Sequence, residues 1–125
     1  MAYQDLNVWR KGMDLAEQIY QITDQFPAAE RFSLTDQMKR AAISIPSNIA
    51  EGNERESFPE HIRFFSYAKG SAAELETQLL LCVRIGYLSE SQITSSLSLC
   101  SDIKKMLSAM ILSLKEKARK TNLNN

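Results

Sequence analysis

The chain has 125 residues, and its fifteen basic and fifteen acidic side chains give a formal net charge of zero. A chain of this length forms a single domain that buries roughly two-thirds of the surface its unfolded form exposes. Formal neutrality excludes the strong overall positive field that is typical of nucleic-acid-binding proteins, and two cysteines are too few for a disulfide framework.

Neither the amino terminus nor any apolar stretch indicates export or membrane insertion. The first six residues contain no basic region and no apolar run, so we expect no signal peptide. The most apolar stretch, residues 79–83, ends at Arg84, far short of the roughly 20 residues that a membrane span requires. We therefore expect a cytoplasmic protein that does not act at a membrane.

The first predicted helix covers residues 7–25, where apolar side chains recur at steps of three and four. Glycine inside a helix costs up to about 1 kcal/mol relative to alanine, so we expect Gly12 to permit close approach of another helix, and Gly70 to do the same in the third helix. Pro27 ends the first helix because the residue before a proline is pushed out of the α region. The inward stripe comprises Val8 or Trp9, Gly12 or Met13, Ala16, Ile19 or Tyr20, Thr23 and Phe26.

The second predicted helix, residues 34–52, contains Pro46 inside an otherwise regular apolar period. A proline in a helix interior removes the hydrogen bond to the carbonyl of Ala42 and costs about 3 kcal/mol, so we predict a kink. We expect Gly52 to end the helix in the left-handed conformation, which glycine adopts most easily. The inward residues are Leu34, Met38, Ala41 or Ala42, Ile45 and Ile49.

The polar residues around this proline have a structural interpretation. Ser44, Ser47 and Asn48 are short side chains that can satisfy freed backbone groups. We expect Asn48, Glu51 and Arg55 to fix the second helix and the following turn, and not to form a binding site. Taken alone, the proline is typical of a kinked core helix. The motif comprises Pro46, Ser47, Asn48, Glu51, Gly52 and Arg55.

The third and fourth predicted helices cover residues 58–85 and 90–119. Ser57 caps the third helix, Pro59 lies in its first turn, and Gly86 closes it. Ser89 and Gln92 form a capping box for the fourth helix. Residues 120–125 are predicted to be a disordered tail. The pattern as a whole predicts an all-α fold, an antiparallel up-and-down four-helix bundle with a proline-kinked second helix.

The third and fourth helices carry more apolar surface than a lone bundle can bury. Residues 79–83 are apolar around nearly the whole helical circumference. Apolar residues of the fourth helix span an arc of roughly 180°, wider than the roughly 100° stripe of a surface helix. Because a contiguous exposed apolar patch usually marks a protein interface, we predict assembly into a homo-oligomeric ring. The predicted interface residues are Leu80, Leu81, Val83, Leu99, Met106 and Met110.

A local excess of positive charge lies near the end of this neutral chain. From residue 103 onward there are six basic residues and one acidic residue. Repeated around a ring, such a stripe would form a phosphate-binding surface. The alternative is a solvated helix end, because basic residues are favourable there and no aromatic residues alternate with the stripe. The predicted nucleic-acid-binding residues are Lys104, Lys105, Lys115, Lys117, Arg119 and Lys120, and Ser108 shares the flank of Lys104, Lys115 and Arg119.

No constellation in the sequence identifies a reaction. The single histidine, His61, has no glutamate three residues before it, so the glutamate-histidine pairs of a di-iron bundle are absent. Glu74 is an isolated carboxylate and does not make a metal site. Cys82 and Cys100 lie in apolar helical patterns that are typical of small buried hydrophobes. We therefore predict that the protein is not an enzyme and has no cofactor.

A spaced series of residues across most of the chain carries a family resemblance. It runs from Trp9, Tyr20, Thr23 and Phe26-Pro27 through residues 37–42, 44–52 and Arg55 to Phe64, Ala68, Gly70-Ser71, Glu74-Leu75 and Gln78-Leu79. This series resembles the bacterial four-helix-bundle family encoded in intervening sequences of the large-subunit ribosomal RNA gene. The resemblance implies a cytoplasmic bundle that assembles as a homopentamer and has no established enzymatic activity. It also implies a relation to the accessory variability determinant of diversity-generating retroelements, a basic protein that binds nucleic acid and works with a reverse transcriptase.

Two functions fit these patterns better than a third, an enzyme whose active site the sequence does not reveal. The first is a non-enzymatic oligomeric accessory protein that binds RNA or DNA through basic flanks of the assembled ring. The alternative is a structural or protein-protein interaction module without nucleic-acid contact, which the neutral net charge favours. The family resemblance favours the first.

Overall fold

The computed structural model describes residues 1–123, and these residues form four α-helices and two short 3₁₀ helices without any strand. The α-helices are α1 (Asn7–Thr23), α2 (Leu34–Glu54), α3 (Phe58–Arg84) and α4 (Glu90–Leu123), and the 3₁₀ helices are Tyr3–Asp5 and Ala28–Glu30. The prediction of an all-α fold with four helices is therefore confirmed.

The four helices pack around one apolar core. Helix α1 contacts α2 and α4, and α3 contacts the same two helices, which is the arrangement of a four-helix bundle. Burying a leucine or isoleucine side chain contributes about 1.5–3 kcal/mol, so the core supplies the main driving force for folding. The largest fully buried side chains include Leu15, Ile19, Met38, Ile45, Ile49, Leu75, Leu79, Ile103 and Leu107.

Polar contacts join α1 to α4. The Lys11 ammonium lies 3.4 Å from the Asp102 carboxylate. Farther along α1, the Gln18 amide donates to Ser95 at 3.0 Å and accepts from the buried Ser96 hydroxyl at 2.8 Å. These bonds satisfy Ser96, whose hydroxyl would otherwise be buried without a partner.

Helix α2 continues through Pro46, which is buried against α1. A Cβ atom built on Gly12 of α1 would lie 3.3 Å from the side chain of Ile45 and 3.4 Å from that of Pro46. The expectation that Gly12 permits close approach of another helix is therefore confirmed, and the helix that approaches is the one containing the proline.

Two other glycines do not behave as expected. Gly52 does not end α2 in the left-handed conformation, because the helix continues to Glu54 and the only positive φ among the described residues belongs to Gly86. A Cβ on Gly52 would lie 2.9 Å from the ring of Phe65, so the glycine is required for packing. Gly70 has no atom within 4 Å of its missing Cβ, so it does not mediate a close approach.

The end of α4 also differs from the prediction. Residues 120–123 are helical and do not form a disordered tail, whereas residues 124–125 lie outside the described residues. Basic side chains near the end of α4 interact favourably with the helix dipole, and the Thr121 hydroxyl donates to the carbonyl of Lys117 at 3.0 Å. The interaction of the basic side chains with the dipole favours continuation of the helix.

The turn between α3 and α4 is tightly hydrogen-bonded. Gly86 has a φ of 83°, which only glycine adopts without strain, and closes α3 as predicted. The backbone N–H groups of Tyr87 and Leu88 donate to the carbonyl of Cys82 at 2.9 and 3.2 Å. The Gln92 side chain accepts from the backbone N–H of Ser89 at 2.8 Å, which is one of the two bonds of the predicted capping box. The backbone N–H of Gln92 donates to the carbonyl of Ser89 at 3.1 Å and not to its hydroxyl, so the second bond is not formed.

The glycines of α2 and α3 should respond oppositely to alanine. We expect Gly52→Ala to lower the free energy of unfolding by about 1–3 kcal/mol, because its Cβ overlaps a buried phenylalanine ring. We expect the matched variant Gly70→Ala to raise it by about 0.5–1 kcal/mol, because the new methyl group meets no neighbour and alanine favours the helix. Urea unfolding measures both, and a destabilised Gly70→Ala variant would contradict this account.

Candidate functional site

Helices α3 and α4 form the walls of a groove lined by lysines and serines. One part of the groove, about 430 Å³ in volume, lies between Lys69 of α3 and four residues of α4. An adjoining part of about 490 Å³ shares Lys69 and Lys104 with the first, so the two parts are continuous. We call this surface the lysine groove; its polar residues are Ser66, Lys69, Ser101, Lys104, Lys105, Ser108 and Lys115.

The charge in the lysine groove is only partly compensated. The Lys104 ammonium lies 2.6 Å from the Glu76 carboxylate, and both side chains are largely shielded from water. Within residues 1–123, Lys69, Lys105 and Lys115 make no ion pair. The groove therefore presents three uncompensated ammonium groups and one that a carboxylate holds.

The structure divides the six predicted nucleic-acid-binding residues. Lys104, Lys105 and Lys115 lie together in the lysine groove, whereas Lys117 lines a different, apolar groove. Arg119 and Lys120 are exposed in the last turns of α4 and do not line the lysine groove.

Sequence reasoning missed three residues of the lysine groove. Lys69 and Ser66 were not among its candidates, because they lie on α3 and a helical wheel compares residues within one helix only. Ser101 lies on α4, three residues before Lys104, and could have been found from the wheel of that helix. The contribution of α3 depends on how α3 is aligned with α4. Lys69, the one lysine of α3, could have been compared with those of α4 once the short turn between these helices had been predicted.

The apolar groove lies at the opposite end of the bundle from the turn between α3 and α4. Its volume is about 510 Å³. At 1.5 Å per residue, the 17 residues of α1 span about 26 Å and the 34 residues of α4 about 51 Å, so α1 cannot cover the whole length of α4. The apolar groove is lined by Asn53, Phe58, His61, Phe65, Ala109, Met110, Ser113, Leu114 and Lys117.

The predicted interface residues lie on more than one face. Leu80 and Leu81 are 53% and 46% exposed, and Ile85, another large apolar side chain nearby, is 49% exposed. Val83, Leu99, Met106 and Met110 are partly buried against the core. Leu99 also borders a polar cleft between α1 and α4 that contains the carboxylates of Asp14 and Glu17.

The polar motif around Pro46 makes local contacts. The Asn48 amide donates to the backbone carbonyl and to the hydroxyl of Ser44, both at 2.8 Å, and the Ser71 hydroxyl of α3 donates to the same Ser44 oxygen at 2.9 Å. Ser47 is exposed and has no hydrogen-bond partner among the described residues. Asn48 therefore links the backbone of α2 to α3 through Ser44.

Arg55 holds the turn between α2 and α3. Its guanidinium pairs with the Glu51 carboxylate at 3.1 Å and lies 4.6 Å from the centre of the Phe64 ring. The carbonyl of Arg55 is in addition hydrogen-bonded to the His61 ring. These contacts place the only histidine of the chain in a turn-stabilising position.

The groups that usually carry chemistry are isolated or protonated. Across the described range, no three His, Cys, Asp or Glu side chains are grouped as metal ligands. Burial raises the pKa of the Cys82 thiol from 9.0 to about 11 and that of Cys100 from 9.0 to about 12, so both thiols are protonated and weakly nucleophilic at neutral pH. No helix within residues 1–123 has the length and apolarity of a membrane span.

The fold and its grooves define an all-helical four-helix protein whose main charged feature is a lysine-lined surface. The chain belongs to the 23S rRNA-intervening sequence protein family, whose model matches residues 4–109. It is similar to the crystal structure of a protein with unknown function from the S23 ribosomal protein family of Bacteroides thetaiotaomicron. The two share 27% sequence identity and a TM-score of 0.75, over 83% of this chain and 97% of the other. A search of curated proteins returned no match.

The family predicted from the residues around Pro46 is thus confirmed. The relation to the retroelement branch stays an expectation. Lys104 and Lys105 lie inside the matched range, whereas Lys115 lies beyond it.

Asn48 should contribute to stability in a way its neighbour does not. We expect Asn48→Ala to lower the free energy of unfolding by about 1–2 kcal/mol, since it removes two hydrogen bonds and leaves Ser44 less satisfied. The control is Ser47→Ala, one residue away and exposed, which should change the free energy of unfolding by less than about 0.5 kcal/mol. Thermal and urea unfolding measure both variants, and an unchanged melting temperature for Asn48→Ala would rule out this role.

Proposed function

We propose that the protein is a non-enzymatic accessory protein that self-associates and binds nucleic acid through the lysine groove. One observation carries the proposal: two helices of a formally neutral chain bring four lysines to one surface, with one glutamate beside them. Clustered lysines neutralise phosphates and release counterions, which supplies most of the sequence-independent affinity for nucleic acid.

The number of lysines in the groove determines the strength of binding that we expect from one chain. Each phosphate contact contributes a slope of about −0.9 to the dependence of log affinity on log salt, so four lysines give a slope of about −3 to −4. A single chain that makes so few phosphate contacts binds nucleic acid weakly. Repetition of the lysine groove around an oligomer would raise it, because each additional groove binds at a high effective concentration.

The proposal includes an antiparallel arrangement of the helices within one chain. The bonds from Lys11 to Asp102 and from Gln18 to Ser95 support an antiparallel pairing of α1 and α4, as in an up-and-down bundle.

The proposal also includes self-association. The exposed side chains of Leu80 and Leu81 support an interface, since soluble monomers rarely leave such residues clustered in water. A kink at Pro46 and a ring of five copies complete the proposed assembly. A reverse transcriptase partner rests on the family resemblance alone.

A second candidate function is a protein-protein interaction module. The observation that favours it is the apolar groove, where Phe58, Met110 and Leu114 lie beside the polar groups of Lys117 and His61. Grooves of this kind accept the apolar face of a partner helix. In that case the lysine groove would be solvated surface, and salt-dependent binding of nucleic acid would be absent.

Two lysines of α4 test whether nucleic acid binds in the lysine groove or is attracted by positive charge anywhere on the helix. We expect Lys115→Gln to weaken binding of a short RNA duplex by about five- to tenfold and to reduce the salt slope by about 1, because one phosphate contact is lost. Fluorescence anisotropy between about 50 and 200 mM salt measures both quantities.

The matched control is Lys117→Gln, which makes the same charge change two residues away, outside the lysine groove. It should leave the affinity within about twofold, because exposed charges outside the site are screened by salt. Glu76→Gln should instead tighten binding, since it releases the ammonium of Lys104. Equal losses for the two lysine variants, or no binding by the wild-type protein at low salt, would contradict the proposal.

The proposed self-association is tested by mass in solution. We expect light scattering to give a mass several times the 14.2 kDa of one chain. Leu81→Glu should reduce that mass, because burying a carboxylate in an apolar interface is costly. Leu112→Glu makes the same change at a leucine that is 59% exposed and outside the predicted interface, and should leave the mass unchanged. A wild-type protein that stays at 14.2 kDa at high concentration would contradict the ring.

A further inference from the structure

We propose that the lysine groove selects RNA over DNA, because Ser66, Ser101 and Ser108 bind the ribose 2′-hydroxyl. This inference rests on the proposed function and specifies its ligand. The 2′-hydroxyl both donates and accepts hydrogen bonds, and it is the group through which proteins distinguish RNA from DNA at a given site. Serine hydroxyls have the same dual capacity.

The three serine hydroxyls are not used by the fold. Within residues 1–123, none of the three has a hydrogen-bond partner, although all line the lysine groove. Elsewhere on these two helices, the hydroxyls of Thr77 and Thr94 donate to helix carbonyls at 3.0 and 2.9 Å. The serine hydroxyls in the groove therefore remain available to a ligand.

Serines and lysines of α4 follow one another along the groove. On α4, Ser101 precedes Lys104 by three residues, Ser108 follows Lys104 by four, and Lys115 comes seven residues later. At 1.5 Å per residue, Ser101 and Ser108 are separated by about 10 Å along the helix axis, with Lys104 between them. Sugar and phosphate also alternate along a strand, so hydroxyl contacts to ribose and ammonium contacts to phosphate are compatible.

The groove offers no aromatic surface on which bases can stack. None of the residues that line its two parts is aromatic, so bases have no side chain on which to stack. Gly70, which lies in the wall of the second part, has open space where a side chain would stand. A backbone can therefore approach α3 closely. A ligand held through its backbone differs between RNA and DNA at the sugar, which the groove can therefore select.

The experiment compares three duplexes of one sequence at one salt concentration: RNA, DNA and RNA with 2′-fluoro sugars. The 2′-fluoro duplex keeps the A-form shape but lacks the hydroxyl donor, so it separates recognition of the hydroxyl from recognition of shape. We expect the wild-type protein to bind RNA about tenfold more tightly than DNA, and the 2′-fluoro duplex about as weakly as DNA.

The triple variant with Ser66→Ala, Ser101→Ala and Ser108→Ala should lose this preference through weaker RNA binding, with DNA binding unchanged. Alanine favours helices more than serine does, so the variant should fold, which circular dichroism verifies. The matched control replaces three exposed serines outside the groove, Ser47→Ala, Ser98→Ala and Ser113→Ala, and should keep the preference.

Three outcomes would overturn this inference while leaving nucleic-acid binding in place. They are equal wild-type affinities for RNA and DNA, tight binding of the 2′-fluoro duplex, and equal losses on RNA and DNA in the triple variant, which would assign the hydroxyls to phosphates. Absence of binding to all three duplexes would overturn the proposed function together with this inference.

Discussion

The alignment of α3 with α4 is the constraint on which the charged surface depends. A turn of five residues joins the two helices. It is held by Gly86, by the carbonyl of Cys82 and by the bond from the Ser89 N–H to the Gln92 side chain. Because of this tight turn, α4 can slide little along α3. The turn therefore also determines which residues of the two helices face each other several helical turns away from it. Lys104 consequently meets Glu76, and the lysines of α4 lie beside Lys69, far from the turn in sequence.

A neutral composition is compatible with a strongly charged site because the charges are unevenly placed. The lysine groove contains four ammonium groups and one adjacent carboxylate, whereas several acidic side chains elsewhere form local pairs, such as Asp36 with Arg40 and Glu60 with Arg63. Exposed pairs of this kind contribute little to stability. They do remove charge from other faces, so the lysine groove stands out more than net charge indicates.

Features encoded within a few residues were predictable, and features created by tertiary contact were not. Helix positions, the capping box and the role of Gly86 follow from local periodicity and backbone preference, and Gly12 followed from the cost of glycine inside a helix. Gly52 was misinterpreted because its local context is that of a helix end, whereas its function is to make room for Phe65. Lys117 could have been separated from Lys115 by the helical wheel, since two residues correspond to about 200°. Lys69 required the alignment of two helices, which one-helix patterns do not contain.

The carboxylates of Asp14 and Glu17 border the cleft between α1 and α4, whereas the lysine groove lies between α4 and α3. The two sides of α4 therefore carry opposite local charge. A phosphate chain that reached α4 would meet ammonium groups on the side of α3 and carboxylates on the side of α1. Salt limits the reach of such exposed charges to about 8–10 Å, so this asymmetry would select the orientation of an anion close to the surface and would not attract one from afar.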